Sequence, residues 1–332
     1  MSRPGLVIGG YTPDTEGSGP GLTVARQHPD GRLEAVAETA VSGPSFVIAH
    51  PRLPLLYAVL ERAEDGGLAV LADEDPAPRL LAEHTSGGSL PCHLAIDPEG
   101  RWLVIANYGD GTVTAYRLGE DGMPEPEPLT FRHEGHGPNP DRQECPHAHE
   151  AVFGPDGVLY VSDLGTDEMR RFLPGMRPHP DGPVRLASGS GPRHFLHHEG
   201  YWYVTGELDG SVRVYDAEWR EAGAVRASDA VLEGEENLPS HIALSADGRY
   251  LYVGNRGPDT ISVFEVDGPR LTMVSEVPSG GSWPRHFAID GDRLYVANQR
   301  SDSIALLVLK DGLPEPAGEA LAVGTPSCVL IR

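Results

Sequence analysis

The chain has only three cysteines in 332 residues, Cys92, Cys145 and Cys328. They cannot all pair and none has zinc-like spacing, which excludes a disulfide scaffold and points to a reduced compartment. Positive charge is also scarce: 26 Lys and Arg stand against 49 Asp and Glu, a formal net charge of −23. Nucleic acid and anionic membrane surfaces both require clustered basic residues, so neither is expected as a partner. No apolar run approaches ~18 residues and no N-terminal pattern reads as a secretion signal, so a soluble cytoplasmic protein is expected. Amphipathicity of 3.6-residue period is missing over any useful length, which leaves an all-β chain.

What is present is a repeat. Prolines 44, 91, 146, 192, 239 and 284 each open a block of one plan, at spacings of roughly 42 to 55 residues. The block runs Pro, any residue, His or an apolar residue, a short β-rich run, an Asp-Gly-like turn, Tyr-Val and a small loop. The copy at Pro239 predicts strands over 241–244, 250–254, 261–266 and 271–277, with the Ala246-Asp247-Gly248 turn between the first two. Four antiparallel strands make one propeller blade. A seventh copy from Pro326 stops after one strand, at Cys328-Val329-Leu330-Ile331. Its missing strands are expected from Leu6-Val7-Ile8, 22–25 and 33–37 at the other end of the chain. The prediction is a single domain over 1–332, a seven-bladed β-propeller with its ring closed by the two termini, which hides the sheet edges. A monomer is the default for such a closed ring.

Residues common to all blades hold the fold, so chemistry is sought where one blade departs from the others. His93, His194, His241 and His286 all sit two residues after the opening proline and read as blade-packing side chains. Blade geometry brings the start of the innermost strand and the end of the second strand to one face of the disc, beside the axis. At the second position Tyr108, Glu207, Arg256 and Gln299 align, either as a shared polar site or as solvated loop charges. At the first, Arg193 and Arg285 replace Ser45, Cys92, Ser240 and Ser327, suggesting an anion site or a structural ion pair. The block QECPHAHEAVFGPDG carries one extra residue before its turn, which moves His149 off the repeated histidine site and leaves His147 directly after Pro146. The connection 119–145, rich in His, Gly, Pro and Arg, is the longest, and reads as a lid over this face or a tolerated insertion.

On RQECPHAH, DLGTDE, GPRHF, GELDGSV and GNRGPDTISVF, the chain resembles the lactonase family of seven-bladed propellers, which includes bacterial 6-phosphogluconolactonases and carboxymuconate lactonising enzymes. The resemblance implies His149, Glu207, Arg193 and Arg256 as active-site residues. With them, Glu207 is expected to act as general base, Arg193 or Arg256 to hold an oxyanion, and His149 to donate a proton, with His147 the alternative imidazole. Arg285, Arg142, His147 and Gln299 are expected to bind the substrate, a small anionic lactone such as 6-phosphogluconolactone. No metal or other cofactor is expected, because no Asp, Glu or Cys triad accompanying the His147-x-His149 pair is visible in the sequence. A cycloisomerase and a non-enzymatic binding platform are the alternatives.

Overall fold

The computed structural model describes residues 5–28, 31–231 and 234–332. Within them the strands form seven sheets arranged in one ring. Blade 1 joins the chain ends, with strands Leu33–Thr39, Leu22–Gln27, Gly5–Gly10 and Pro326–Ile331 in that order. The antiparallel register there pairs Leu6 with Ile331, Val7 with Leu330 and Ile8 with Val329. Blades 2 to 7 follow in sequence, their innermost strands starting at Val47, Pro91, Ala148, Pro192, Leu238 and Pro284. The all-β, seven-bladed architecture and its closure by the termini are therefore as the repeat predicts.

Apolar residues run almost unbroken along the second strands, as in Leu55–Leu60 and Trp102–Asn107, so each blade has two greasy faces and must bury both against its neighbours. Between blades 6 and 7, for example, Tyr252 and Val263 pack on Phe287, Leu294 and Val296. The tyrosine of the recurring Tyr-Val segment seals this contact at its far end. The hydroxyls of Tyr203 and Tyr252 donate to the carbonyls of Gly268 and Gly312, one blade further on, and that of Tyr57 to Gly122, each at 2.7 Å. A buried phenol so satisfied keeps its apolar body in the core without leaving an unpaired donor.

One expectation is corrected. The connection 119–145 is not a free loop, because Leu129–Phe131 pairs with Val113–Arg117 as the outer strand of blade 3. The remaining irregular stretch begins at Arg132 and enters the inner strand of blade 4 at Ala148. Its Gln143 side chain is fully buried and donates to the Leu164 carbonyl at 2.9 Å, which pins the stretch across the disc face.

Candidate active site

Two features of the repeat build the site. The first is a bulge near the start of the innermost strand. The pairing register slips between Pro91 and His93, Ala148 and Glu150, Pro192 and Phe195, Pro239 and Ile242, Pro284 and His286, and between Pro326 and Cys328. A bulge leaves one residue unpaired and re-aims its side chain. Cys92, His149, Arg193, Ser240, Arg285 and Ser327 fall in these slips, and all but Ser240 line one small cavity together with Ser45 of blade 2. The extra residue in the Pro146 block is thereby explained: His149 takes the position of Arg193 and Arg285, and Glu150 takes that of the repeated histidine.

The second feature is the residue leaving the second strand. Its amide donates back to the residue that precedes the innermost strand, or in blade 2 to the residue before Pro44: Tyr11 to Thr325, Glu61 to Gly43, Tyr108 to Leu90, Leu164 to His147, Glu207 to Gly191 and Gln299 to Trp283, all at 2.9–3.1 Å. Arg256 holds the same place in blade 6, paired with Leu238. The sequence pattern found Tyr108, Glu207, Arg256 and Gln299 and missed Tyr11, Glu61 and Leu164. A signal for Glu61 exists, since Glu61 follows Tyr57 by four residues as Glu207 follows Tyr203.

Beneath these two rings lies a third, made of Phe46, His93, Glu150, His194, His241, His286 and Cys328. Ring centroids of His93 and Phe46 are 4.2 Å apart, and those of His241 and His286 4.0 Å. The Nδ1 atoms of His194 and His241 are 2.9 Å apart, and Glu150 Oε1 is 3.5 Å from both His93 Nε2 and His194 Nδ1. Burial holds His93 and His286 down at about 3, so these imidazoles are neutral. They plug the axis and floor the site, consistent with the structural reading of the repeated histidines.

Above this floor the charges fall into two groups. Glu207 is enclosed by guanidiniums: Arg142 Nη2 lies 2.6 Å from Oε1, while Arg256 Nη2 and Arg193 Nε lie 2.6 and 3.0 Å from Oε2. Although burial alone would raise this carboxyl, Arg256, Arg193 and Arg142 together hold it well below the carboxylate range. Backbone carbonyls orient the arginines, with Arg193 Nη1 donating to Ser240 at 2.7 Å and Arg256 Nε to Leu238 at 2.9 Å. Nη2 of Arg193 and Nη1 of Arg256 take part in none of these contacts. In the second group Glu61 accepts hydrogen bonds from Tyr11, at 2.9 Å, and from Ser45. Arg285 lies 3.9 Å from Glu61 and over the Tyr11 ring.

His149 stands between the groups, buried, its ring edge-on to Tyr108. Burial and the Arg193 cation push its pKa well below 6.5, so it is a neutral imidazole. The cavity it shares with Glu61, Arg193 and Arg285 has about 10 Å³ of free space, room for about one water. A larger recess of about 440 Å³, bordered by Arg142, Leu208, Arg226, Ser228, Asn237 and Leu238, is tied to the Glu207 group through Arg142. Around the small cavity the guanidiniums of Arg142, Arg193, Arg256 and Arg285 face the carboxylates of Glu207 and Glu61, whereas the recess sets Arg142 and Arg226 against Asp141, Asp209, Glu235 and Glu236.

The sequence-predicted residues are thus partly gathered. His149, Glu207, Arg193, Arg256, Arg142 and Arg285 converge. Gln299 shares their ring, with its Oε1 buried and unpaired, but among the described residues it makes no hydrogen bond with the Glu207 group. His147 is turned aside: its Nδ1–H donates to the Tyr108 carbonyl at 2.7 Å and its ring stacks on Tyr108.

The chain is similar to known proteins over most of its length. The chain is 32% identical over 282 residues to a 6-phosphogluconolactonase of Bacillus subtilis, covering 80% of each protein, and 29% identical over 297 residues to one of Formosa agariphila, covering 83% of this chain and 84% of that one. Among solved structures, the periplasmic gluconolactonase of Pseudomonas aeruginosa superposes with a TM-score of 0.92 at 28% identity, covering 99% of both chains. Residues 5–331 match the family model described as lactonase, seven-bladed β-propeller, and the chain belongs to that family.

Proposed function

We propose that the protein hydrolyses a phosphorylated sugar lactone, 6-phosphogluconolactone, as a metal-independent monomeric enzyme of the cytoplasm. The observation that carries this reading is a neutral, buried imidazole set beside two arginines that each keep a free N–H group. Lactone hydrolysis needs a base to take a proton from water, donors for the carbonyl oxygen as it becomes an oxyanion, and an acid for the departing ring oxygen. A neutral His149 is suited to the first task, and the imidazolium it forms then supplies the proton for the last. Arg193 and Arg256 face the developing oxyanion, where a water-poor pocket strengthens their effect.

This distribution of roles differs from the sequence expectation for Glu207. A carboxylate with both oxygens engaged by guanidiniums is poorly placed to take a proton from water. Its task is to hold the arginines in place. Arg142, on the irregular stretch after Arg132, borders the larger recess and is well placed to meet the phosphate of the substrate, with Arg285 across the mouth. The relatives bear lactone-hydrolase names, which favours ring opening over cycloisomerisation or a binding platform. Three unpaired cysteines agree with a reducing compartment.

The test is release of acid from 6-phosphogluconolactone and from unphosphorylated gluconolactone, each against its spontaneous hydrolysis. A rate above background that is much larger for the phosphorylated substrate is expected. No rate above background on either lactone would overturn the reading, and a preference for the unphosphorylated one would remove the phosphate contact.

A further inference from the structure

The segment Glu144-Cys145-Pro146-His147 lies outside the catalytic group, yet it brings three metal-ligating side chains together. Glu144 Oε1 is 3.3 Å from His147 Nε2, Cys145 Sγ is 3.8 Å from the same nitrogen, and Cys145 Sγ is 3.9 Å from Glu144 Oε1. A tetrahedral ion bound by sulfur, nitrogen and oxygen at the usual distances places its ligand atoms roughly 3.3 to 3.6 Å apart. The observed triangle needs only a few tenths of an ångström of closure, and its three atoms lie within 4.8 Å of one another.

The surroundings favour a cation. His147 donates its Nδ1–H to the Tyr108 carbonyl at 2.7 Å, which fixes the tautomer and turns the Nε2 lone pair toward Cys145 and Glu144. That is the supporting contact metal-bound histidines habitually make. Tyr108 stacks on the imidazole at 4.4 Å with an interplanar angle of 16°, so the ring cannot swing. The backbone is held as firmly: the His147 amide donates to Asp163 Oδ1 at 2.9 Å, and a Cβ at Gly165 would stand 1.9 Å from the Cys145 carbonyl, a closeness only glycine permits. Glu144 is half-exposed, which provides an entry path.

We propose that Glu144, Cys145 and His147 bind one divalent ion of the zinc class, with the fourth position open to solvent. Thiolate, imidazole and carboxylate together suit zinc and cobalt rather than magnesium or calcium. The proposal corrects the expectation that no donor triad accompanies His147: the glutamate and cysteine stand immediately before Pro146, and the turn folds them onto the ring. The ion sits at the root of the stretch that carries Arg142, two residues upstream of Glu144, and therefore braces the mouth without joining the chemistry.

The experiment uses the full chain stripped with a chelator and titrated with cobalt chloride and zinc chloride. One equivalent of cobalt per chain is expected, with the sulfur-to-cobalt charge-transfer absorption of a thiolate ligand and displacement by zinc. Zinc should also protect Cys145 from alkylation by iodoacetamide; Cys92 and Cys328 are buried. Cys145→Ser should abolish the thiolate band, and Glu144→Gln should weaken affinity at least by the ~10- to 100-fold typical of losing a supporting contact. Unchanged circular dichroism and melting of both variants check that they are folded. Absence of stoichiometric uptake, uptake without a thiolate band, or a band that survives in Cys145→Ser would each overturn the assignment.

Discussion

Replacing Glu207 by Gln is the sharpest perturbation of the mouth, because it removes one charge that three others require. The side chains of Glu207, Arg193 and Arg256 are 4%, 3% and 5% exposed, whereas that of Arg142 is 36% exposed. Arg142 can turn to water, so its pair contributes at most ~1 kcal/mol. Arg193 and Arg256 cannot, and Glu207→Gln leaves both guanidiniums buried without a counter-charge. Breaking a buried pair in this way costs about 3–5 kcal/mol. Against a total stability on the order of 5–15 kcal/mol, that is a large fraction.

The assay is urea unfolding at pH 7, with lactone hydrolysis measured on the fraction still folded. Removing one of the stranded charges as well, in Glu207→Gln with Arg193→Met, should recover part of the loss, a coupling of about 0.5–3 kcal/mol. The pH dependence has a definite sign. A depressed folded-state carboxyl contributes stability that is present above its unfolded pKa of about 4.3 and is lost as pH falls through the folded value. The gap between wild type and Glu207→Gln should therefore be full at neutral pH and shrink only in acid below pH ~4. Unfolding midpoints that agree within ~0.5 kcal/mol at pH 7 would refute the locked-cluster argument.

Three further outcomes follow from the same geometry. Because His149 is held neutral well below pH 6.5, the hydrolysis rate should stay flat through that pH and fall only in stronger acid. His149→Asn should lower kcat by roughly 10²- to 10⁴-fold, and a wild-type inflection near pH 6.5 that the variant loses would count against the assignment. Glu150, raised to about 8 by burial, keeps its proton where the unfolded chain has released one, so its contribution to stability declines from pH ~4.3 up to about 8. Glu150→Gln mimics the protonated acid and should gain on wild type between pH 5 and pH 9 in urea unfolding. A pH-independent gap would contradict the raised value. Deleting 326–332 removes the innermost strand of blade 1 and opens Leu6, Ile8 and Val7 to solvent, so cooperative melting should disappear. Retention of a wild-type melting curve would show that the ring does not depend on its clasp.

The architecture was legible because it is written many times over. Each Pro-opened block encodes one blade, and the truncated copy at Pro326 states that the ends must meet. Errors arose where a copy is degraded or split. Glu61 was missed because its block carries Phe46 where four others carry histidine, and Tyr11 because its partner strand begins at Pro326, at the other end of the chain. The strand Leu129–Phe131 was missed because only three residues pair, too few for a period-2 pattern to register among Glu and Pro. The role of Glu207 could not be read at all: whether a carboxylate acts as base or as clamp depends on how many cations reach it, and Arg142 arrives from an aperiodic stretch that no repeat predicts.

The propeller solves one problem by symmetry and another by breaking it. Seven copies of one backbone plan bring a bulged residue from six blades, Ser45 from blade 2, and the residue leaving each second strand to a common opening, whatever side chains they carry. The positions are therefore fixed by the fold, and the chemistry is set by substitution at them: Cys92, Ser240 and Ser327 keep a small side chain at the bulge and Ser45 one at the matching place in blade 2, while His149, Arg193 and Arg285 put imidazole and guanidinium there. The cost of such substitution is burial of charge, and the same geometry supplies the remedy, since the neighbouring ring places Glu207 and Glu61 within reach of the arginines. An uncharged imidazole needs no such partner, so His149 is the group left free to exchange protons, and the single-residue insertion that put it at the bulge is the sequence change on which the catalytic reading rests.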